Sequence, residues 1–364
     1  MKKLDAFIIE QRKTKTVFRK TDFVFPAGVD NLVAGYYTVG KEMEVFCFIG
    51  YPKTQKPQGG YPAIVLVHGG EGYAFFEWVK YWTEQGYVAI SPDFDGHYAT
   101  DEANRLLENL KGGPHGYGSI KDAEQEKPWL FCCVASVLSS VDVLMQNACV
   151  NPDKIVAQGI SWGGFVALTA TAKEKRLKAL SVVYSSAFIS DSDWGMNQGL
   201  KDLSLQQLAH YNENIDPQTY LQEIECPVFF TAGMDDGAFT VKNRTRTAEK
   251  IRSQKLFSYR KTYTHGHIEG WSEKESAVFF EDVLNRKGLP LLALSDGEIL
   301  VENIKLDELY FVYTQEDPMK KDICEWLETS DFGDVLQNAT AYFLYGRMEN
   351  GLQFSSNVYF KKFE

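Results

Sequence analysis

Ile155-Val156-Ala157-Gln158-Gly159-Ile160-Ser161-Trp162-Gly163-Gly164-Phe165 is the run of sequence that settles the fold class. Ile155-Val156-Ala157 is short and continuously apolar, as a strand covered on both faces requires. Phe165 to Ala172 reads as an apolar helix. Between them, Gly159-Ile160-Ser161-Trp162-Gly163 has the form G-x-S-x-G. Alone that spacing says little in a chain with 29 glycines. Set between a strand and a helix, it predicts a sharp turn strained at the serine, with glycines on either side that let the chain pass closely. Ser161 Oγ would then stand at a helix N-terminus, whose dipole favours developing negative charge. The bland alternative is a glycine-rich turn with a bystander serine, and the strand–turn–helix setting argues against it.

Moving outward, the same rhythm repeats. Ala63-Ile64-Val65-Leu66-Val67 and Tyr87-Val88-Ala89-Ile90 read as buried strands, with Phe75, Val79 and Trp82 at helical spacing between them. A strongly apolar helix is expected over about 129–147. Ala179 to Tyr184, Val228 to Ala232 and Leu256 to Tyr263 are further strands. Strands alternating with helices imply a mostly parallel sheet with helices on both faces. After Trp271, Ser272 and Glu275 have capping-box spacing before the stripe Ala277, Phe280 and Leu284, and Gly288 with Pro290 stops that helix. Two stretches are too long for plain connections: the Gly-rich 93–127 and an insertion between Ser185 and Cys226. Residues 1–60 are β-rich, with Val45 to Tyr51 the clearest run. Beyond 290, short β runs at Glu298 to Val301, Leu309 to Tyr313, Ala341 to Leu344 and Asn357 to Phe360 suggest a small all-β appendage. The expected organisation is therefore a domain over 1–290 and a small β-sandwich-like domain over 291–364.

The strand ends carry the chemistry. Val67 runs into His68-Gly69-Gly70, where glycine would let backbone N–H groups face a substrate. Gly70 N–H and Trp162 N–H are the expected oxyanion donors, with His68 bracing the loop. In the order serine, acid, base, the next candidates are Asp235 and Asp236, then His265 and His267. Asp236, at the fourth place of G-x-x-D, is read as the acid and Asp235 as its rival. His265, closest to its strand end, is read as the base and His267 as its rival. His97, His115 and His210 fit solvent-facing or substrate-side positions. Trp162, Trp194 and Trp271 are candidate pocket walls, and core packing explains each of them as well. His265 and His267 could in principle ligate zinc, but apart from Glu269 no neighbour has ligand spacing, so no metal is expected. No G-x-G-x-x-G or G-x-x-x-x-G-K-[ST] loop is present, so no nucleotide cofactor is implied.

Composition bounds the partners. A 364-residue chain with 44% hydrophobic and 24% charged residues can bury a sizeable core without disulfides or metals. The net charge of −11 makes nucleic acid and anionic membranes poor partners. The six cysteines form no Cys-x-x-Cys pair and lie largely in apolar runs, so they read as free buried thiols. After Met1-Lys2-Lys3, Asp5 and Glu10 break the apolar run to Ala6-Phe7-Ile8-Ile9, too short for an export signal, and no stretch has transmembrane length. A cytoplasmic protein is expected, and a homo-oligomer is left open.

Together these segments resemble the α/β-hydrolase superfamily, and more closely the bacterial branch of acetyl xylan esterases, cephalosporin-C deacetylases and dienelactone hydrolase-like esterases. Pro62 to Gly72, Glu77-Trp78-Val79, Gly86 to Ile90, Gly159 to Gly164, Gly233 to Asp236 and His265 to Trp271 carry the resemblance, over about 40–288. It implies an α/β-hydrolase fold, with Ser161 as nucleophile, Asp236 as acid and His265 as base. It also implies a serine esterase for short acyl groups, acetyl above all, on a carbohydrate or other small molecule. Glu71 departs from the fuller H-G-G-G form and puts a carboxylate beside the oxyanion loop. Two other readings remain: a peptidase of the prolyl-oligopeptidase kind, for which a long N-terminal propeller is missing, and a non-catalytic binding protein on this fold.

Overall fold

A computed structural model describes residues 2–70, 72–94, 128–192, 200–295 and 298–361. Glu71, the stretch 95–127 with His97 and His115, and Trp194 lie outside them. The chain begins with α1 (Lys3–Gln11) and three antiparallel strands, β1 (Phe18–Lys20), β2 (Leu32–Val39) and β3 (Met43–Gly50). The strand–helix alternation follows: β4 (Tyr61–Val67), α2 (Phe76–Glu84), β5 (Val88–Pro92), α3 (Trp129–Met145), β6 (Val150–Ile160), α4 (Trp162–Lys173) and β7 (Leu177–Val183). Next come α5 (Leu205–Asn214), β8 (Val228–Gly233), α6 (Val241–Lys250), β9 (Lys255–Arg260), α7 (His267–Trp271) and α8 (Lys274–Leu284).

The strands stand in the order β1-β2-β3-β5-β4-β6-β7-β8-β9, with every pair from β5 to β9 parallel. This is the α/β-hydrolase architecture expected. The loops after β4, β6, β7, β8 and β9 therefore gather at one edge. Helix α3 is apolar on nearly all sides because all sides are covered, 15 of its residues being buried. It packs against α4, β2 and α1. On β6, Gln158 is a fully buried polar residue with a full set of partners. Trp78 and Trp82 on α2 both donate indole N–H bonds to its Oε1 (3.3 and 3.1 Å), and its Nε2 donates to Ser276 on α8 (3.1 Å). The strand that carries the serine is thus clamped to two helices by neutral hydrogen bonds with no buried polar group of Gln158 left over.

After 290 come β10 (Leu291–Ser295), β11 (Glu298–Glu302), β12 (Glu308–Thr314), β13 (Leu327–Thr329), α9 (Phe332–Asn338), β14 (Ala341–Arg347), β15 (Gln353–Ser355) and β16 (Tyr359–Phe360). The expected strands are present, and among them lies one helix that the strand pattern did not anticipate. β15 pairs with β9 at Ser355 and Phe257, so the central sheet runs on through β15, β14, β12 and β13. The capping box expected at Ser272 does not form. Ser272 ends α7 instead, and its hydroxyl donates to Ile268 O (3.0 Å); α8 starts after Glu273 without a side-chain cap.

Candidate active site

Ser161 sits between β6 and α4 with φ 54° and ψ −122°, a left-handed conformation that a non-glycine residue adopts only under constraint. The constraint is visible on both sides. Ser161 N–H donates to Val183 O (2.9 Å), and Gly164 N–H closes the first helical turn on Ser161 O (2.9 Å). A Cβ at Gly163 would overlap the carbonyl oxygens of Val67 and His68, so only glycine lets α4 start this close to the end of β4.

His265, on the loop after β9, reaches this serine. Its Nε2 lies 2.8 Å from Ser161 Oγ, and its Nδ1 lies 3.1 Å from Asp236 Oδ2. With the proton on Nδ1, the ring donates to Asp236 and accepts from the serine hydroxyl. Asp236 is buried, and its Oδ1 accepts from Ala238 N–H (2.8 Å) and Phe239 N–H (3.3 Å), which fixes the carboxylate in a turn. The imidazole lies against Tyr184 (centroids 4.3 Å apart) and parallel to Phe239 (6.3 Å). Tyr184, itself at φ 35°, donates its hydroxyl to Gly266 O, next in the chain to His265. Burial pushes that phenol well above its usual range, so it stays a donor throughout neutral pH.

The two rivals stand elsewhere. Asp235 is exposed and accepts from Tyr263 N–H (3.1 Å), tethering the start of the histidine loop. His267 opens α7 and packs on Phe75 (4.9 Å). It lies across the glycine turn from the serine: a methyl group at Gly69 would sit 3.0 Å from His267 Nε2 and 3.1 Å from Ser161 Cβ. Gly69 and the first residue of α4, Trp162, therefore adjoin Ser161 from two directions. His68 braces the loop as expected. Its Nδ1 donates to Gly69 O (2.7 Å) and its Nε2 accepts from Phe94 N–H (2.9 Å), which ties the ends of β4 and β5 together.

Three expectations need revision or completion. The Trp162 indole is no pocket wall; it is stacked in the core on Phe165 (4.3 Å) and Trp129 (5.9 Å). Trp271 is half-buried against Phe75 (4.9 Å), and His210 sits on α5 beside Lys3 (3.5 Å). The sequence reading also passed over Tyr184, Phe239 and Arg244. Arg244 shares helical spacing with Val241 and Ala248, which puts it on the buried face of α6 and was a signal available in the sequence. Among the described residues no cluster of His, Cys, Asp and Glu could hold a metal ion, and no helix is long and apolar enough to cross a membrane. None of the six cysteines is in a disulfide.

The model of the dienelactone hydrolase family matches residues 48–278. The chain belongs to the dienelactone hydrolase family. Within this hydrolase family its kinship to characterised proteins is distant. Dipeptidyl-peptidase 5 of Aspergillus fumigatus is 25% identical over 170 residues, which are 44% of this chain and 21% of that protein. The probable dipeptidyl-peptidase 5 of Emericella nidulans is 24% identical over the same length. This chain thus spans about a fifth of the length of the curated relatives it matches. Among solved structures, the acetyl xylan esterase from Paenibacillus sp. R4 has a TM-score of 0.62 at 14% identity, covering 77% of this chain and 93% of that one. Acetyl xylan esterase 1 from Thermoanaerobacterium sp. JW/SL YS485 has a TM-score of 0.58 at 15% identity, covering 77% and 92%. At such identities the likeness is one of fold.

Proposed function

We propose that this member of the dienelactone hydrolase family is a serine esterase that removes short acyl groups, acetyl first among them, from a carbohydrate or other small molecule in the cytoplasm. The observation that carries the reading is the contact of Ser161 Oγ with His265 Nε2 at 2.8 Å, with His265 Nδ1 on the buried Asp236. His265 takes the hydroxyl proton as Ser161 Oγ attacks the ester carbonyl. The N–H groups of Gly70 and Trp162 receive the oxyanion. Collapse of the tetrahedral adduct breaks the C–O bond, and the leaving alcohol takes the proton from His265. Water, activated by the same ring, then cleaves the acyl-enzyme. Asp236 holds the ring in the Nδ1-protonated tautomer and stabilises the imidazolium. The choice of a short acyl group draws on the fold-likeness to acetyl xylan esterases and on family resemblance.

A peptidase is the second reading, and the stretch shared with the dipeptidyl-peptidases is what favours it. A fluorophosphonate probe and two substrate panels separate the cases. The esterase reading expects labelling at Ser161 and turnover of p-nitrophenyl acetate above butyrate and far above octanoate. Turnover of dipeptidyl p-nitroanilides at higher kcat/KM would move the chain to the peptidases. No labelling and no turnover on either panel would leave a binding protein on a hydrolase fold.

A further inference from the structure

We infer that Arg244 is a positioning residue, a fixed buried charge that sets the proton affinity of His265 by acting through Asp236. The inference rests on the assignment of Ser161, His265 and Asp236 made above. Arg244 lies on α6 with 2% of its surface exposed. Its Nη1 donates to Gly233 O (2.8 Å) and stands 4.0 Å from Asp236 Oδ2, the same oxygen that His265 Nδ1 meets. Its guanidinium lies over the Tyr259 ring (5.5 Å). Among the described residues Nε and Nη2 have no hydrogen-bond partner.

A buried arginine kept for packing is normally surrounded by acceptors, since each unmet donor in the interior costs stability. Arg244 leaves two nitrogens unmet and keeps only a carbonyl and the acid. Burial works against its charge, yet a guanidinium does not deprotonate in a protein. What the position supplies is positive charge behind a carboxylate. The groups facing the pair and His265 are Asp235 beside Asp236, Tyr259 on β9, Tyr184 after β7, and Glu269 on α7, whose carboxylate lies against Gly266. Lys242 and Arg246, also on α6, are engaged with Asp191. Asp235 is exposed and screened, so Arg244 is the near, unscreened cation. It offsets part of the Asp236 charge at the oxygen that His265 Nδ1 meets, so the field at the imidazole is set by both groups together.

The test uses the full chain with ¹⁵N-labelled histidine and follows the His265 ring nitrogens against pH, the resonance being assigned by its absence in His265→Ala. In Arg244→Met the His265 titration is expected to move up by about one pH unit, from Coulomb's law at the high effective dielectric typical of proteins. Arg244→Gln, which keeps a donor for Gly233 O, should move it similarly, and Arg244→Lys should restore it. The acid limb of kcat/KM for p-nitrophenyl acetate should follow, with roughly tenfold lower activity on that limb. Removing one partner of a buried charge pair leaves the Asp236 carboxylate less compensated, so Arg244→Met should lower thermal stability and Arg244→Gln, which keeps a donor for Gly233 O, should lower it less; the titration is followed below the unfolding temperature of each variant. An unmoved His265 titration in both neutral variants would overturn the inference, as would a lysine variant that behaves like methionine. The titration needs no turnover, so an inactive wild type would sink the esterase reading while leaving this one to stand or fall separately.

Discussion

The loops after β8 and β9 each offer the same chemistry twice. One presents Asp235 and Asp236, the other His265 and His267, and in each only one member joins the chain of contacts to Ser161, His265 directly and Asp236 through His265. Different physics selects in the two cases. Asp236 is chosen by its backbone: the turn at Ala238 and Phe239 points two N–H groups at its carboxylate and holds it under the sheet edge. His265 is chosen by its neighbours' rings and by Tyr184, whose hydroxyl pins Gly266. His267, one turn further, is recruited by Phe75 and the Gly69–Gly72 turn instead. A rival two residues away is thus not a spare; it is already committed to another part of the site.

The contrast breaks most sharply with Ser161→Ala and His265→Ala. Each should lower kcat for acetyl ester hydrolysis by on the order of 10⁶, and the double variant should cost little more, because such groups act as a unit. Asp236→Asn should cost about 10⁴ through the wrong imidazole tautomer, while Asp235→Asn stays within about tenfold. An Asp235→Asn variant that is the more damaged of the two, by kcat/KM, would transfer the acid. His267→Ala should lose far less than His265→Ala, through slackening of the glycine turn. If steady-state kinetics found His267→Ala dead and His265→Ala active, the histidine assignment would reverse.

A third carboxylate sharpens the contrast at the smallest scale. Asp216 also accepts backbone N–H bonds, from Phe188, Ile189 and Gln218, but no histidine or arginine pairs with it among the described residues, and burial pushes its carboxyl up to about 6. A carboxyl raised in the folded state stabilises it most below the unfolded value, near pH 4, and loses that contribution as pH rises through about 6. Asp216→Asn keeps the bonds at one oxygen and forfeits the one to Ile189, so it should start less stable at pH 4. The gap should then narrow by about 1–3 kcal/mol up to pH 7 in urea unfolding. A gap that stays constant would place the Asp216 carboxyl in the ordinary range.

Much of this was legible in the sequence because the signals are local. Continuous apolar runs marked β4, β6, β7, β8 and β9, and parallel strands send their following loops to one edge, so Ser161, Asp236 and His265 could be read as neighbours. What escaped depends on tertiary placement. Ser272 has a perfect cap spacing, yet α7 ends there and claims the hydroxyl first. Trp162 looks like a pocket aromatic in one dimension and is core in three, because α4 turns it toward Trp129 and Phe165. Arg244 carries no motif, and only its helical spacing from Val241 and Ala248 marks it as buried.

The junction between β9 and β15 has a consequence in time. Tyr259 N–H binds Ser355 Oγ, a partner 96 residues further along the chain. At the usual pace of synthesis that stretch takes about 5–20 s to emerge. Over that interval β9 is an open edge, with unpaired main-chain groups ready to template the wrong neighbour. The loop that carries His265 begins just past this strand. Chaperone dependence in the cell should therefore concentrate on nascent chains stalled between β9 and β15, and a synonymous slowing of translation in that window should lower the yield of folded protein more than the same slowing placed upstream.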